Sequence, residues 1–168
     1  MKAAYMRIAS YSPTDVSVLL GGFHQITGFI SGSFVSISKD VQPFKTTRTA
    51  DGETARIHVK DSTFTITIKL ASTSPTNTIL TKLYQVDELT QKGKVPLFVK
   101  DSLGSSLFLA PTCWVKEVPD LEFSDAVTER TWVLQGANGV VNYGGNIDDS
   151  SVLEDFASVA LGGIGSFL

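Results

Sequence analysis

The alternation Thr63-Phe-Thr-Ile-Thr-Ile-Lys-Leu70 constrains this chain more than any other stretch of it. Phe64, Ile66, Ile68 and Leu70 fall on one side, and Thr63, Thr65, Thr67 and Lys69 on the other. A period of two residues fits a strand with one face buried and cannot lay an apolar stripe along a helix. The polar face is rich in β-branched Thr and nearly uncharged, which suits a strand facing water or a channel. A half-buried strand needs neighbours, so the chain must supply further strands that share its core.

Such strands are legible on both sides. Asp15–Leu20 reads as a strand, Gly21-Gly22 as a turn, and Phe23–Ile30 as the return strand. Ser33–Ser38 alternates, as does Glu129–Gln135, and Val140–Tyr143 is a short strand. Val95–Asp101 and Leu107–Val118 form a hairpin around Ser102–Ser106, with Pro96 placing its strand at an edge. One segment has helical spacing. Ser74 is suited to the N-cap, Pro75 to the first turn, and Ile79, Leu80, Leu83, Val86 and Leu89 to one apolar stripe ended by Gly93. The predicted fold is mainly β: an antiparallel β-sandwich or partial barrel with one flanking helix at about residues 75–90. A long loop lies between early strands, and a short helix or arm ends the chain. Residues 1–10 read as an N-terminal arm, 11–146 as the β domain and 147–168 as a C-terminal extension.

Composition narrows function. The 168 residues fit one domain with a real core, and charged residues make up only 18% with a net charge of −3. No basic patch marks a nucleic-acid binder. No apolar run is long enough to span a membrane, and the N-terminus lacks a signal-peptide core. The single Cys113 lies in an apolar strand and reads as a buried structural thiol. His24 and His58 have no Cys or His at ligand spacing, and no nucleophile elbow, phosphate loop or Asp-rich calcium loop is present. The acidic groups at Glu117, Asp120 and Glu122, and at Asp148, Asp149, Glu154 and Asp155, read as solvated turns and a helix start. The expectation is a protein without catalytic residues, cofactor or metal.

The segment from Ser36 to Lys60 reads as a strand, a long charged loop and a strand. Long loops in compact domains are usually functional. With no catalytic set nearby, contact with another protein is its expected work. Lys39, Asp40, Lys45, Arg48, Asp51, Glu53 and Arg56 mix both charge signs, and Phe44 offers an apolar anchor. In the C-terminal extension, Val152, Leu153, Phe156 and Val159 share one helical face and form a second candidate docking surface.

Several segments taken in order carry a family resemblance. They are Tyr11-Ser-Pro-Thr-Asp-Val-Ser-Val, Gly21-Gly22 with Ile26-Thr-Gly-Phe, Phe34-Val-Ser-Ile-Ser-Lys-Asp with Ala50-Asp-Gly-Glu, and Ser72–Asn77. Val95-Pro-Leu-Phe-Val-Lys-Asp, Trp114-Val-Lys-Glu-Val-Pro-Asp and Gly144-Gly-Asn146 complete the series. Over residues 11–146 the chain resembles the tail tube proteins of contractile-tailed bacteriophages. These are similar in fold to the haemolysin-coregulated protein of type VI secretion. The resemblance implies rings of six copies, stacked into a tube whose lumen conducts DNA without specific binding. It implies self-contacts and sheath, baseplate and tail terminator partners, in a virion tail made in the host bacterial cytoplasm. By position it gives the loop an inter-ring contact, and Thr63, Thr65, Thr67 and Lys69 are the candidate lumen face. A monomeric β-sandwich binding module, such as a carbohydrate-binding domain, is the alternative. It requires an exposed aromatic platform, for which Trp114 and Trp132 are the candidates.

Overall fold

The structure is a computed structural model that describes residues 11–145. A 3-10 turn at Pro13–Asp15 leads into β1 (Val16–Leu20), β2 (His24–Gln25), β3 (Val35–Lys39), β4 (Phe44–Arg48), β5 (Thr54–His58) and β6 (Phe64–Ala71). Helix α1 (Thr76–Thr90) follows, then β7 (Val95–Asp101), β8 (Leu107–Glu117), β9 (Glu129–Ala137) and β10 (Val140–Asn142). The expected mainly β, antiparallel fold with one flanking helix is observed. Its strands do not divide into two facing sheets. Eight of them form one sheet in the order β2-β1-β7-β8-β9-β6-β3, with β10 added beside β8. Residues from β1, β3 and β7 line a common open cleft of about 260 Å³, so the two halves of the sheet approach each other without closing a barrel.

The period-two pattern of β6 is realised in full. Phe64, Ile66, Ile68 and Leu70 are buried, and they meet Val18, Leu20, Leu97, Phe108, Ala110, Cys113, Trp132 and Leu134 in one core. Each large apolar side chain sealed there contributes about 1.5–3 kcal/mol relative to exposure. Phe64 and Phe108 pack edge to face at 5.2 Å between ring centres. Gly139 stands against both rings, where an added Cβ would come within 2.8 Å of Phe64 Cε2.

Helix α1 starts one residue later than the sequence suggests, with Pro75 rather than Ser74 at the cap position. Pro75 is in a helical conformation there, and the Thr76 amide donates to the Ser74 hydroxyl at 3.3 Å. Its N-terminal half is fastened to the sheet. Asn77 donates to the Ala71 carbonyl at 2.9 Å, and the buried Trp132 indole N–H donates to Asn77 Oδ1 at 2.9 Å. Leu80 is fully buried with Ile79 and Leu83 beside it, whereas Val86 and Leu89 are exposed. The stripe therefore overestimates how much of the helix docks. Gln91 in the left-handed region closes the helix, ahead of the expected Gly93.

Three further expectations change. The return strand after Gly21-Gly22 shrinks to His24–Gln25, because Gly28 turns the chain at φ +78° over the start of α1. Phe29 then makes only an isolated bridge to Leu70. Pro96 is not on an edge strand, since β7 runs between β1 and β8. It is tolerated because the β7–β8 register shifts between Val95 and Leu97, so no ladder donor is needed there. Finally, the Ser36–Lys60 segment is not an unstructured loop: β4 and β5 pair within it as a separate two-stranded sheet.

Candidate assembly surfaces

Every residue of β4 and β5 is exposed, and the hairpin belongs to a sheet of its own. Its turn explains its register. The Gly52 amide donates to the Thr49 carbonyl at 3.0 Å, and the Thr49 amide donates to the Glu53 carbonyl at 2.8 Å. Gly52 has φ +84°, a conformation that costs glycine little and other residues more. Thr49 Oγ1 also accepts from the Glu53 amide at 3.1 Å. Along the strands, Phe44 lies opposite His58 with ring centres 5.2 Å apart, and the Arg56 guanidinium sits 4.2 Å from the Phe44 ring centre. An isolated two-stranded hairpin is marginal in water. This one covers its largest apolar residue mainly with its own cation and imidazole.

The legs of the hairpin are tied down where they leave the large sheet. The Val59 amide donates to the Pro43 carbonyl at 2.8 Å, which closes the base. On the incoming leg, the Asp40 carboxylate accepts from the Thr65 hydroxyl and, at 2.8 Å, from the Gln135 amide. The Thr65 contact foremost holds the Asp40 carboxyl below its ordinary pKa; desolvation opposes it, and Gln135, Thr63 and the Lys116 charge add to the lowering. On the outgoing leg, Asp61 Oδ1 accepts from both the Thr63 hydroxyl (2.7 Å) and the Thr63 amide (2.9 Å), and these contacts depress the Asp61 pKa as well.

The residues predicted for a contact loop and those predicted for a lumen face thus meet at one place. Asp40, Thr63 and Thr65 form the anchor of the hairpin, whereas Phe44, Lys45, Arg48, Asp51, Glu53 and Arg56 lie on the hairpin itself. Lys39 ends β3, its ammonium 5.7 Å from the Phe64 ring centre. Thr67 and Lys69 continue the outer face of β6. There Lys69 pairs with Glu129 at 3.2 Å, a half-exposed ion pair whose contribution is weakened by solvent screening. Thr131 first, then Lys69, lowers the Glu129 pKa. Val152, Leu153, Phe156 and Val159 lie outside the described residues.

Trp132 is buried in the core, and Trp114 is half-buried on the opposite face of the sheet, so the two do not share a platform. His24 Nε2 lies 3.1 Å from Thr76 Oγ1, a structural contact. Burial pushes the Cys113 thiol up to about 12, out of reach of ionisation near neutrality. Among the described residues, no three His, Cys, Asp or Glu side chains gather as a metal-holding group, and no helix is long and apolar enough to cross a membrane.

Two features escape the sequence reading. The hairpin had a signal, the Asp51-Gly52 dipeptide between β-branched runs, a common hairpin turn. The connection from β8 to β9 exposes Val118, Leu121, Phe123 and Val127, with Phe123 at 85%. Its residues have no periodicity that separates a surface knob from a core residue.

Structural protein ORF10 of Pseudomonas phage KPP10 is 30% identical to this chain over 147 residues, covering 83% of this chain and 85% of its own length. The chain belongs to this phage structural-protein family. No protein-family model matches it. Among solved structures, a chain of the anti-feeding prophage tube-terminating cap superposes with a TM-score of 0.56 at 16% identity, over 84% of this chain and 99% of that one. Chains from the PVC extracellular contractile injection system do the same. Its sheath/tube terminator gives 0.56 at 16% identity over 80% and 97%, and its extended sheath-tube complex gives 0.56 at 15% over 79% and 91%. At these identities the likeness establishes a shared fold. The family member therefore combines a phage structural role with a fold also found in contractile injection systems.

Proposed function

We propose that the protein is a tail tube subunit that assembles into rings, six copies each, which stack into a tube conducting DNA. One observation carries this reading. The hairpin β4–β5 stands apart from the main sheet with every strand residue exposed, yet both of its legs are anchored by carboxylates. A fixed, solvent-exposed hairpin that is marginal by itself gains its stability from a partner. In a head-to-tail stack that partner is the next ring, since a heterologous contact propagates unless rotation closes it. Phe44 with Arg56 then supplies the apolar centre, and Lys45, Arg48, Asp51 and Glu53 set register by charge.

The face of β6 and its neighbours supports a lumen role for Thr67 and Lys69, together with Thr63 and Thr65. Ser36, Ser38, Thr131 and Gln135 surround these residues in the pairing register, and Lys69 is partnered by Glu129. A hydroxyl-rich wall whose cation is already paired offers passing phosphates little to hold. Sheath, baseplate and terminator proteins are the remaining partners in a virion tail.

Electron microscopy of the purified protein tests the reading. The wild type forms rings that stack. Excising Phe44–His58 and joining Pro43 to Val59 through two glycines, a repair the hydrogen bond at the hairpin base makes possible, leaves rings that do not stack. Tubes of unchanged length in the excised variant refute the stacking role, and a strict monomer at high wild-type concentration refutes assembly. A second reading, a ring that caps a tube, rests on the fold shared with the tube-terminating cap chain, which matches as well as the sheath-tube chain does. It predicts single wild-type rings that never polymerise alone.

A further inference from the structure

The strand register aligns four apolar residues from four strands on the side of the sheet away from the core. Val140 of β10 lies opposite Leu109 of β8, Leu109 opposite Phe98 of β7, and Phe98 opposite Leu19 of β1. Their chain neighbours Val141, Phe108, Ala110, Leu97, Val99, Val18 and Leu20 point into the core, which fixes the row on the outer face. Val140 is 64% exposed and Leu109 39%, with Leu19 and Phe98 part-buried. Leu107 stands in the next row beside Lys100. The other half of this outer face is mainly polar, carrying Ser36, Ser38, Thr65, Thr67 and Gln135, with Val133 opposite Thr67 and the half-buried Trp114 opposite Gln135 as separate apolar residues. A four-strand apolar row on the solvent side of the sheet marks a contact site.

We infer that the row Leu19–Phe98–Leu109–Val140 is the seat of the chain's own C-terminal segment, with Val152, Leu153, Phe156 and Val159 as the docking side chains. The described chain ends beside this row. The Gly145 carbonyl accepts from the Ser105 amide at 3.1 Å, the Gly144 carbonyl from the Ser106 hydroxyl at 2.9 Å, and Asn142 donates to the Ser105 carbonyl at 2.9 Å. These bonds tie the exit to the β7–β8 turn, next to the Leu107–Asn142 pair and two residues along from Leu109–Val140. From Gly145 to Val152 the chain can reach roughly 20 Å, while the end of the row is about 7 Å away along the strands.

The sizes agree. Four adjacent strands span about 14 Å, and a stripe from Val152 to Val159 at the helical spacing the sequence predicts would span about 10 Å. Charge agrees too, since residues 146–168 carry Asp148, Asp149, Glu154 and Asp155 without any Lys or Arg, and Lys100 flanks the row. This inference is independent of the tube reading, because it needs neither rings nor stacking.

The test uses the full chain with Val140→Cys and Phe156→Cys, treated at low protein concentration with a short bismaleimide. Cys113 is fully buried and stays silent. An intrachain cross-link, identified by mass spectrometry and independent of protein concentration, is expected. The matched pair Thr67→Cys and Phe156→Cys, on the polar half, should cross-link at least about tenfold less. Equal cross-linking of both pairs, or none, overturns the inference. Predominantly interchain linkage overturns it in favour of a second copy as the source of the segment. A second readout avoids new thiols: full-length Phe156→Asp should speed hydrogen exchange across residues 107–110 and 140–145 by about tenfold or more, the scale of one lost apolar anchor. Unchanged exchange counts against the seat.

Discussion

Asp40→Ala isolates the anchor of the hairpin. Its carboxylate accepts two side-chain hydrogen bonds, from Thr65 and Gln135. Hydrogen bonds to a charged group are worth about 1.5–3 kcal/mol each when shielded, and Asp40 is exposed, so about 1 kcal/mol each is the appropriate figure here. The pair then contributes about 2 kcal/mol, a change of roughly thirtyfold in the local opening equilibrium. Hydrogen exchange with mass-spectrometric readout should show amides between residues 38 and 48 opening roughly thirtyfold more often, with the core amides of β6 and β9 little changed.

Acid should mimic the substitution. The folded-state pKa of Asp40 is lowered from 3.8, so its contribution is complete above that ordinary value and is lost as pH falls through the depressed one. The wild type should therefore approach the Asp40→Ala exchange pattern only below about pH 4, while the variant shows no such step at this site. Unchanged exchange at 38–48 in the variant would refute the anchoring argument. So would uniform acceleration across the whole sheet, which would mean that Asp40 supports the fold rather than the hairpin.

Other perturbations test the core and the helix start. Gly28→Ala places a Cβ 2.6 Å from Ser74 Cβ at φ +78°, and should cost about 2–4 kcal/mol in chemical denaturation through strain and overpacking together. Trp132→Phe removes the indole donor from the buried Asn77 Oδ1 and should lower stability by about 1–3 kcal/mol in the same assay. The Cys113 thiol should react with a chromogenic disulfide reagent only at the rate of unfolding, because it is buried and its pKa is about 12; rapid labelling of native protein would contradict its placement.

Local periodicity gave β6, β9 and the start of α1 their correct character, because alternation and capping act between residues close in the chain. Cys113 was placed correctly for the same reason, by the apolar strand around it. The hairpin was harder to read. Phe44-Lys-Thr-Thr-Arg48 and Thr54-Ala-Arg-Ile-His58 are exposed on both faces, so neither shows the apolar alternation that burial imposes. Pro96 misled because the rule that sends proline to an edge assumes an unbroken ladder, and the β7–β8 register shift removes that premise.

By itself, then, the chain determined that it must be a mainly antiparallel β domain with one flanking helix and a buried thiol. Only the tertiary structure decided that eight strands share a single sheet, that Asp40 and Asp61 grip Thr65 and Thr63 at the base of the hairpin, and that Leu19, Phe98, Leu109 and Val140 form one row. The physical reason is register. Which face a side chain takes follows from its neighbours in sequence, but which residues stand opposite one another follows from pairing between strands far apart in the chain.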